Sequence, residues 1–183
     1  SWRWYFDKFL FMENLSEKEW QLWKQTMQYI ISKRLRRAPD KQLLIKNPGD
    51  TGRIEHLLKL YPNAKFVFIH RNPYEVFYSN RKLWNNVLQT VSLQKISAQK
   101  LDTIILELYE KLHRRYFEQK QLLYDNQIAE VRYEDLKHHP IRELSEVYDK
   151  LELPDFRQAR PHFSAFMAKN QRESAVRQYE YQP

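Results

Sequence analysis

Apolar positions along this chain change period several times, and each change predicts an element. Leu15 to Trp20 combines a Ser16-x-x-Glu19 capping box with apolar residues placed as a hydrophobic staple, a strong helix start. Trp20, Trp23, Met27, Ile30 and Ile31 then recur at helical spacing toward a basic end, Lys33-Arg34-Leu35-Arg36-Arg37. Cations at a helix C-terminus complement its dipole, so that run has an ordinary structural reading beside nucleic-acid or membrane binding.

The period then shortens. Gln42-Leu43-Leu44-Ile45-Lys46 is a brief apolar run ended by Pro48, which predicts a buried strand. Thr51 opens a helix with Ile54, Leu57, Leu58 and Tyr61 on one face. Lys65 to Ile69 predicts a second strand. Asn72 then caps a helix with Pro73 at its first position and Val76, Phe77, Asn80, Leu83 and Trp84 along one side. A long amphipathic helix carries Leu101, Ile105, Leu108, Leu112 and Tyr116 inward. Ile128 to Tyr133 predicts another strand, and Pro140 to Leu151 another helix. The residues from Phe163 onward are polar and carry no clear period. Strands alternating with helices over short connections imply an α/β fold with a small parallel sheet flanked by helices. No repeat or linker divides the chain. It reads as one domain over 1–183, with a helical region 1–41, a core 42–155 and a tail 156–183.

Composition narrows the partners. A net charge of +8 over 183 residues favours an anionic ligand or surface. Glycine occurs only at 49 and 52, so no glycine-rich nucleotide loop is present. Cysteine is absent, which removes disulfides and thiolate metal sites and suits a reducing, cytoplasmic setting. No apolar run reaches the roughly 18–20 residues of a membrane span. His138-His139 has no metal-ligand spacing, and no metal site is expected.

In open α/β sheets, ligands gather beyond the carboxyl ends of the strands. Lys46 closes one predicted strand and Arg71 follows another, and a helix start that favours anions comes after each. Singly, each residue has a plain structural reading. Lys46 suits a strand end, Arg71 a pair with Glu75 or Glu134, and Ser79 a back-bond within its helix. Their ordered combination points to a phosphate site.

The combination resembles the PAPS-dependent sulfotransferases, enzymes of a P-loop NTPase-like fold that use 3′-phosphoadenosine 5′-phosphosulfate. His70-Arg71-Asn72-Pro73, with Ser79 eight residues beyond Arg71, is similar to their strand, Arg-x-Pro turn and serine that grip the 3′-phosphate. Lys46-Asn47-Pro48 resembles their Lys-x-Pro segment. Val131-Arg132-Tyr133-Glu134-Asp135-Leu136, then His139-Pro140 and Leu151-Glu152-Leu153-Pro154, resembles a third family segment. The likeness covers roughly residues 40–155.

What the resemblance implies is transfer of a sulfuryl group to an acceptor hydroxyl or amine of a small molecule, lipid or carbohydrate. Arg71 and Ser79 would hold the 3′-phosphate of PAPS, or of the product 3′,5′-diphosphoadenosine (PAP). Lys46 would stabilise charge at the leaving 5′-phosphate, and Arg172 with Arg177 would close over the cofactor. Arg132 and Glu134 would form a structural ion pair. Where many members carry a basic histidine, Asp50 stands, either as general base or as a cap for the helix near Thr51. The family's 5′-phosphosulfate loop is not seen before Lys41, so the expectation is a helix-rich fold incomplete at its N-terminus. Rival readings are a basic nucleic-acid-binding module, an ATP phosphotransferase and a sulfotransferase-like scaffold without catalysis.

Overall fold

The computed structural model describes residues 2–91 and 95–174. In chain order the elements are α1 (Trp2–Phe9), α2 (Glu17–Leu35), a 3-10 turn (Pro48–Gly52), α3 (Ile54–Leu60), β1 (Phe66–His70), α4 (Pro73–Val91) and α5 (Ala98–Gln119). Then follow β2 (Ile128–Arg132), α6 (Tyr133–His138), α7 (Pro140–Lys150) and α8 (Phe156–Ser174). The described residues form a helix-rich α/β fold with a small parallel sheet. They divide into two compact units, one of Ser1–Ala64 with Asn72–Tyr124, the other of Lys65–Arg71 with the chain from Asp125 onward.

The first unit is helical. The capping box read from Ser16 and Glu19 is present at the start of α2, where the Glu19 carboxylate accepts from the Ser16 backbone N–H at 2.9 Å. Inside lie Phe11, Ile31, Ile54, Leu57, Leu101, Ile105 and Tyr116, all buried. Of the inner stripe expected on α5, Leu101, Ile105 and Tyr116 are buried, and Leu108 and Leu112 are partly buried. Lys111 pairs with Asp7 and Glu13, and Arg115 with Glu13, tying α1 and the turn after it to α5. Both cations also lie over the fully buried Phe11 ring, with Lys111 Nζ at 4.6 Å and Arg115 Cζ at 5.9 Å.

The second unit is built on β1 and β2, which pair in parallel with Phe66 opposite Ile128 and His70 opposite Arg132. Ala129, Val131, Val147 and Leu151 form its core, with Leu136 and Leu153 packed against it. The Lys65 ammonium donates to the Leu151 carbonyl, pinning the start of β1 to the end of α7.

Three expectations change. Gln42–Lys46 is not a strand: it runs without regular structure and is exposed, with Leu44 89% accessible. An apolar run states a preference for burial, whereas a strand needs a hydrogen-bonding neighbour, and β1 pairs with β2 alone among the described strands. The helix expected from Thr51 begins later, at Ile54, because the chain first tightens into the Pro48–Gly52 turn. The residues left unassigned after Phe163 continue α8 to Ser174, through Pro161.

Candidate functional site

Parallel register decides what lies at the carboxyl end of the sheet. His70 and Arg132 face each other as the last residues of β1 and β2, so the next residue on each chain, Arg71 and Tyr133, also become neighbours. The Arg71 guanidinium carbon sits 4.6 Å from the centre of the Tyr133 ring. A guanidinium over an aromatic face gains about 0.5–2 kcal/mol, depending on how dry the contact is. Beside it, Arg132 Nε and Glu134 Oε2 form the expected ion pair at 3.2 Å. Tyr133 had no assigned role in the sequence. Its place against Arg71 follows from the register of two strands distant in sequence, which only the fold sets.

Lys46 and Asp50 belong to the other unit and to one tight loop. Asn47 caps the 3-10 turn, its Oδ1 accepting from the Gly49 N–H at 3.1 Å while its Nδ2 donates to Asp50 Oδ1 at 2.9 Å. Arg53 completes the loop, with Nη2 3.1 Å from Asp50 Oδ1 and Nε donating to the Gly49 carbonyl at 3.3 Å. Asp50 does not cap the helix that follows, whose N-cap position is Arg53 with no side-chain cap bond; it lies inside the 3-10 turn and pairs with that largely buried arginine. Burial raises the Asp50 carboxyl above its ordinary value, opposed by the Arg53 charge and the Asn47 amide. Lys46 is exposed immediately before the cap.

Both glycines of the chain serve this loop by letting neighbours come close. A Cβ on Gly49 would stand 2.7 Å from both Arg53 Nη2 and Leu10 Cδ1. One on Gly52 would meet Phe11 Cδ1 at 3.1 Å and Leu112 Cδ2 at 3.2 Å. The Gly52 carbonyl accepts from Arg115 Nε at 3.0 Å, and the buried Gln119 receives the Glu55 N–H at 3.1 Å. Helix α5 therefore fixes the loop's exit through main-chain contacts, which leave no motif in the sequence.

Ser79 is exposed on α4, whose start is organised as read: Asn72 Oδ1 accepts from the Tyr74 N–H at 2.9 Å. Arg172 is carried near the end of α8, with its side chain outside the described residues, as is Arg177 altogether. Lys46, Asp50 and Ser79 thus fall in one unit, and Arg71 and Arg172 in the other. Among the described residues, no group of three or more His, Asp or Glu side chains is placed to hold a metal ion.

The sequence profile of the sulfotransferase family matches residues 3–158. Two curated relatives, from Mycobacterium bovis and Mycobacterium tuberculosis, each named omega-hydroxy-beta-dihydromenaquinone-9 sulfotransferase, are 31% identical over 164 residues. The match takes in 89% of this chain and 42% of each relative, so the chain spans under half the length of the curated relatives it matches. No solved structure matches.

Proposed function

This chain belongs to the sulfotransferase family, and from that premise we propose that it serves transfer of a sulfuryl group from PAPS to the hydroxyl of a lipid-like acceptor. The acceptor class follows the named quinone substrate of the relatives. PAPS, once bound, would supply the sulfuryl group and leave as PAP. The chain's own residues supply position and charge. Arg71 is the proposed anchor of the 3′-phosphate, a dianion that a guanidinium meets with paired charge-assisted hydrogen bonds. The observation that carries this reading is Arg71 at the carboxyl end of a parallel strand, stacked on Tyr133, where the fold class binds ligands.

Ser79 is proposed as the second 3′-phosphate ligand, and Arg172 as a basic residue that closes over the nucleotide. Lys46 is proposed to stand near the leaving 5′-phosphate and to stabilise the charge that gathers there in the transition state. Asp50 is the proposed proton acceptor for the attacking hydroxyl. Its raised proton affinity favours that role, and its bond from Asn47 and pair with Arg53 keep it in place.

Calorimetry on the full-length protein tests the anchor. PAP binding is expected to exceed that of adenosine 5′-monophosphate, and Arg71→Ala to weaken PAP by about 2–5 kcal/mol. Equal affinity for the two nucleotides, or no effect of the substitution, rejects the 3′-phosphate assignment. In the same preparation, Lys46→Ala and Asp50→Asn are expected to lower turnover by roughly a hundredfold or more while PAP affinity stays near wild type.

A further inference from the structure

Helix α2 carries apolar residues on two sides, and the described residues cover only one. Ile31 is buried in the first unit. Opposite it, Leu22, Thr26, Tyr29, Ile30 and Lys33 recur at i, i+4, i+7, i+8 and i+11, a continuous stripe on the outer face. Leu22, Tyr29 and Ile30 are 64%, 65% and 51% accessible. Lys33, Arg34, Arg36 and Arg37 stand exposed at the helix's C-terminal end, with Lys33 Nζ 5.8 Å from the centre of the Tyr29 ring. A dipole argument accounts for basic residues at a helix end, but not for an apolar stripe leading outward into them.

We propose that this outer face of α2 is a docking surface for an anionic lipid bilayer, on which the helix lies in the interfacial plane. Leu22 and Ile30 would enter the acyl boundary, Tyr29 would sit at headgroup level with its hydroxyl toward water, and the basic end would meet lipid phosphates. Among the described residues, no helix is long and apolar enough to cross a membrane, and α2 itself would lie along the surface. Charge complementarity selects the partner's sign, and the aliphatic side chains select lipid over nucleic acid, since phosphodiester recognition gives Leu22 and Ile30 nothing to do. The inference stands on the surface of α2 and does not depend on the nucleotide site.

Co-sedimentation of the full-length protein, without nucleotide or turnover, provides the test. Vesicles of phosphatidylcholine mixed with phosphatidylglycerol are expected to bind it more tightly than phosphatidylcholine alone. Arg36→Glu with Arg37→Glu should weaken that binding at least ~10-fold, because each basic residue near an anionic surface contributes roughly fivefold. Leu22→Ser with Ile30→Ser should weaken it by a similar ~10-fold factor through lost apolar burial. An environment-sensitive dye on Thr26→Cys, with any cysteine outside residues 1–183 replaced since none lies within them, should shift to the blue on anionic vesicles and needs neither of those pairs to fold. Absence of vesicle binding, or an unshifted dye, overturns the proposal. So does a response to the charge pair alone together with tight binding of single-stranded RNA, which would make the surface a general polyanion site.

Discussion

At Arg71 the guanidinium has an aromatic base beneath it, the Tyr133 ring 4.6 Å away. A planar cation on a planar ring gives up rotamer freedom before a ligand arrives, so less of that cost falls on binding. Tyr133 is in this reading a positioning residue, and its contribution lies in the ring rather than the hydroxyl. Tyr133→Ala should therefore weaken PAP by about 0.5–2 kcal/mol, while Tyr133→Phe should stay within about twofold of wild type. Calorimetry reads both, and equal losses in the two variants would assign the effect to the hydroxyl instead. Asp50 shows the opposite economy. Its carboxylate is half-buried and carries its own partners, Asn47 and Arg53, so the loop's shape and its acid–base character rest on the same three residues.

Among elements, α2 has the most completely specified start. The Glu19 carboxylate is held at about 2 by the Lys8 ammonium foremost, then by the Ser16 backbone and hydroxyl. A carboxyl whose folded value lies below its unfolded one stabilises the fold above the unfolded value and loses that contribution as pH falls toward the folded one. The window here runs from the ordinary 4.5 down to about 2. Glu19→Gln should flatten the dependence of the urea midpoint on pH across that window, whereas curves parallel to wild type would show that the cap carries no linkage. The end of α7 is equally defined. Leu153 N–H reaches the Tyr148 carbonyl at 2.8 Å and Glu152 N–H that of Asp149 at 3.2 Å, a Schellman stop with Glu152 at a left-handed φ of 49° where glycine is usual. Leu153 then packs on the core of that unit, so the stop and the packing reinforce each other.

At the scale of the molecule, each unit has its own core, and that of the sheet unit is small. Ala129, Val131, Val147 and Leu151 carry it, and Leu151 is 1% accessible. Leu151→Ala should cost about 2–5 kcal/mol, the range for a cavity in a well-packed interior. Urea unfolding of the full-length protein measures it, and a loss below about 1 kcal/mol would mean that the site collapses around the missing methyls.

Much of this protein was legible in its sequence because the causes are local. The capping box at Ser16, the Asn72 cap with Pro73, the stripe of α5 and the family motifs at Lys46, Arg71 and Arg132 each lie within one continuous stretch of chain. Residue order by itself determined the helix-rich α/β class and the family. Tertiary structure alone decided which apolar residues are covered. Leu43–Ile45 and Ile30 sit in apolar patterns that read as buried yet stand exposed, since burial depends on a neighbour elsewhere in the chain. The same holds for the partners found only in three dimensions: Tyr133 under Arg71, and Arg115 and Gln119 on the loop that carries Asp50. Contacts to main-chain carbonyls and ring faces do not depend on a fixed local spacing. Their physical basis is distance in space, which only the folded chain sets.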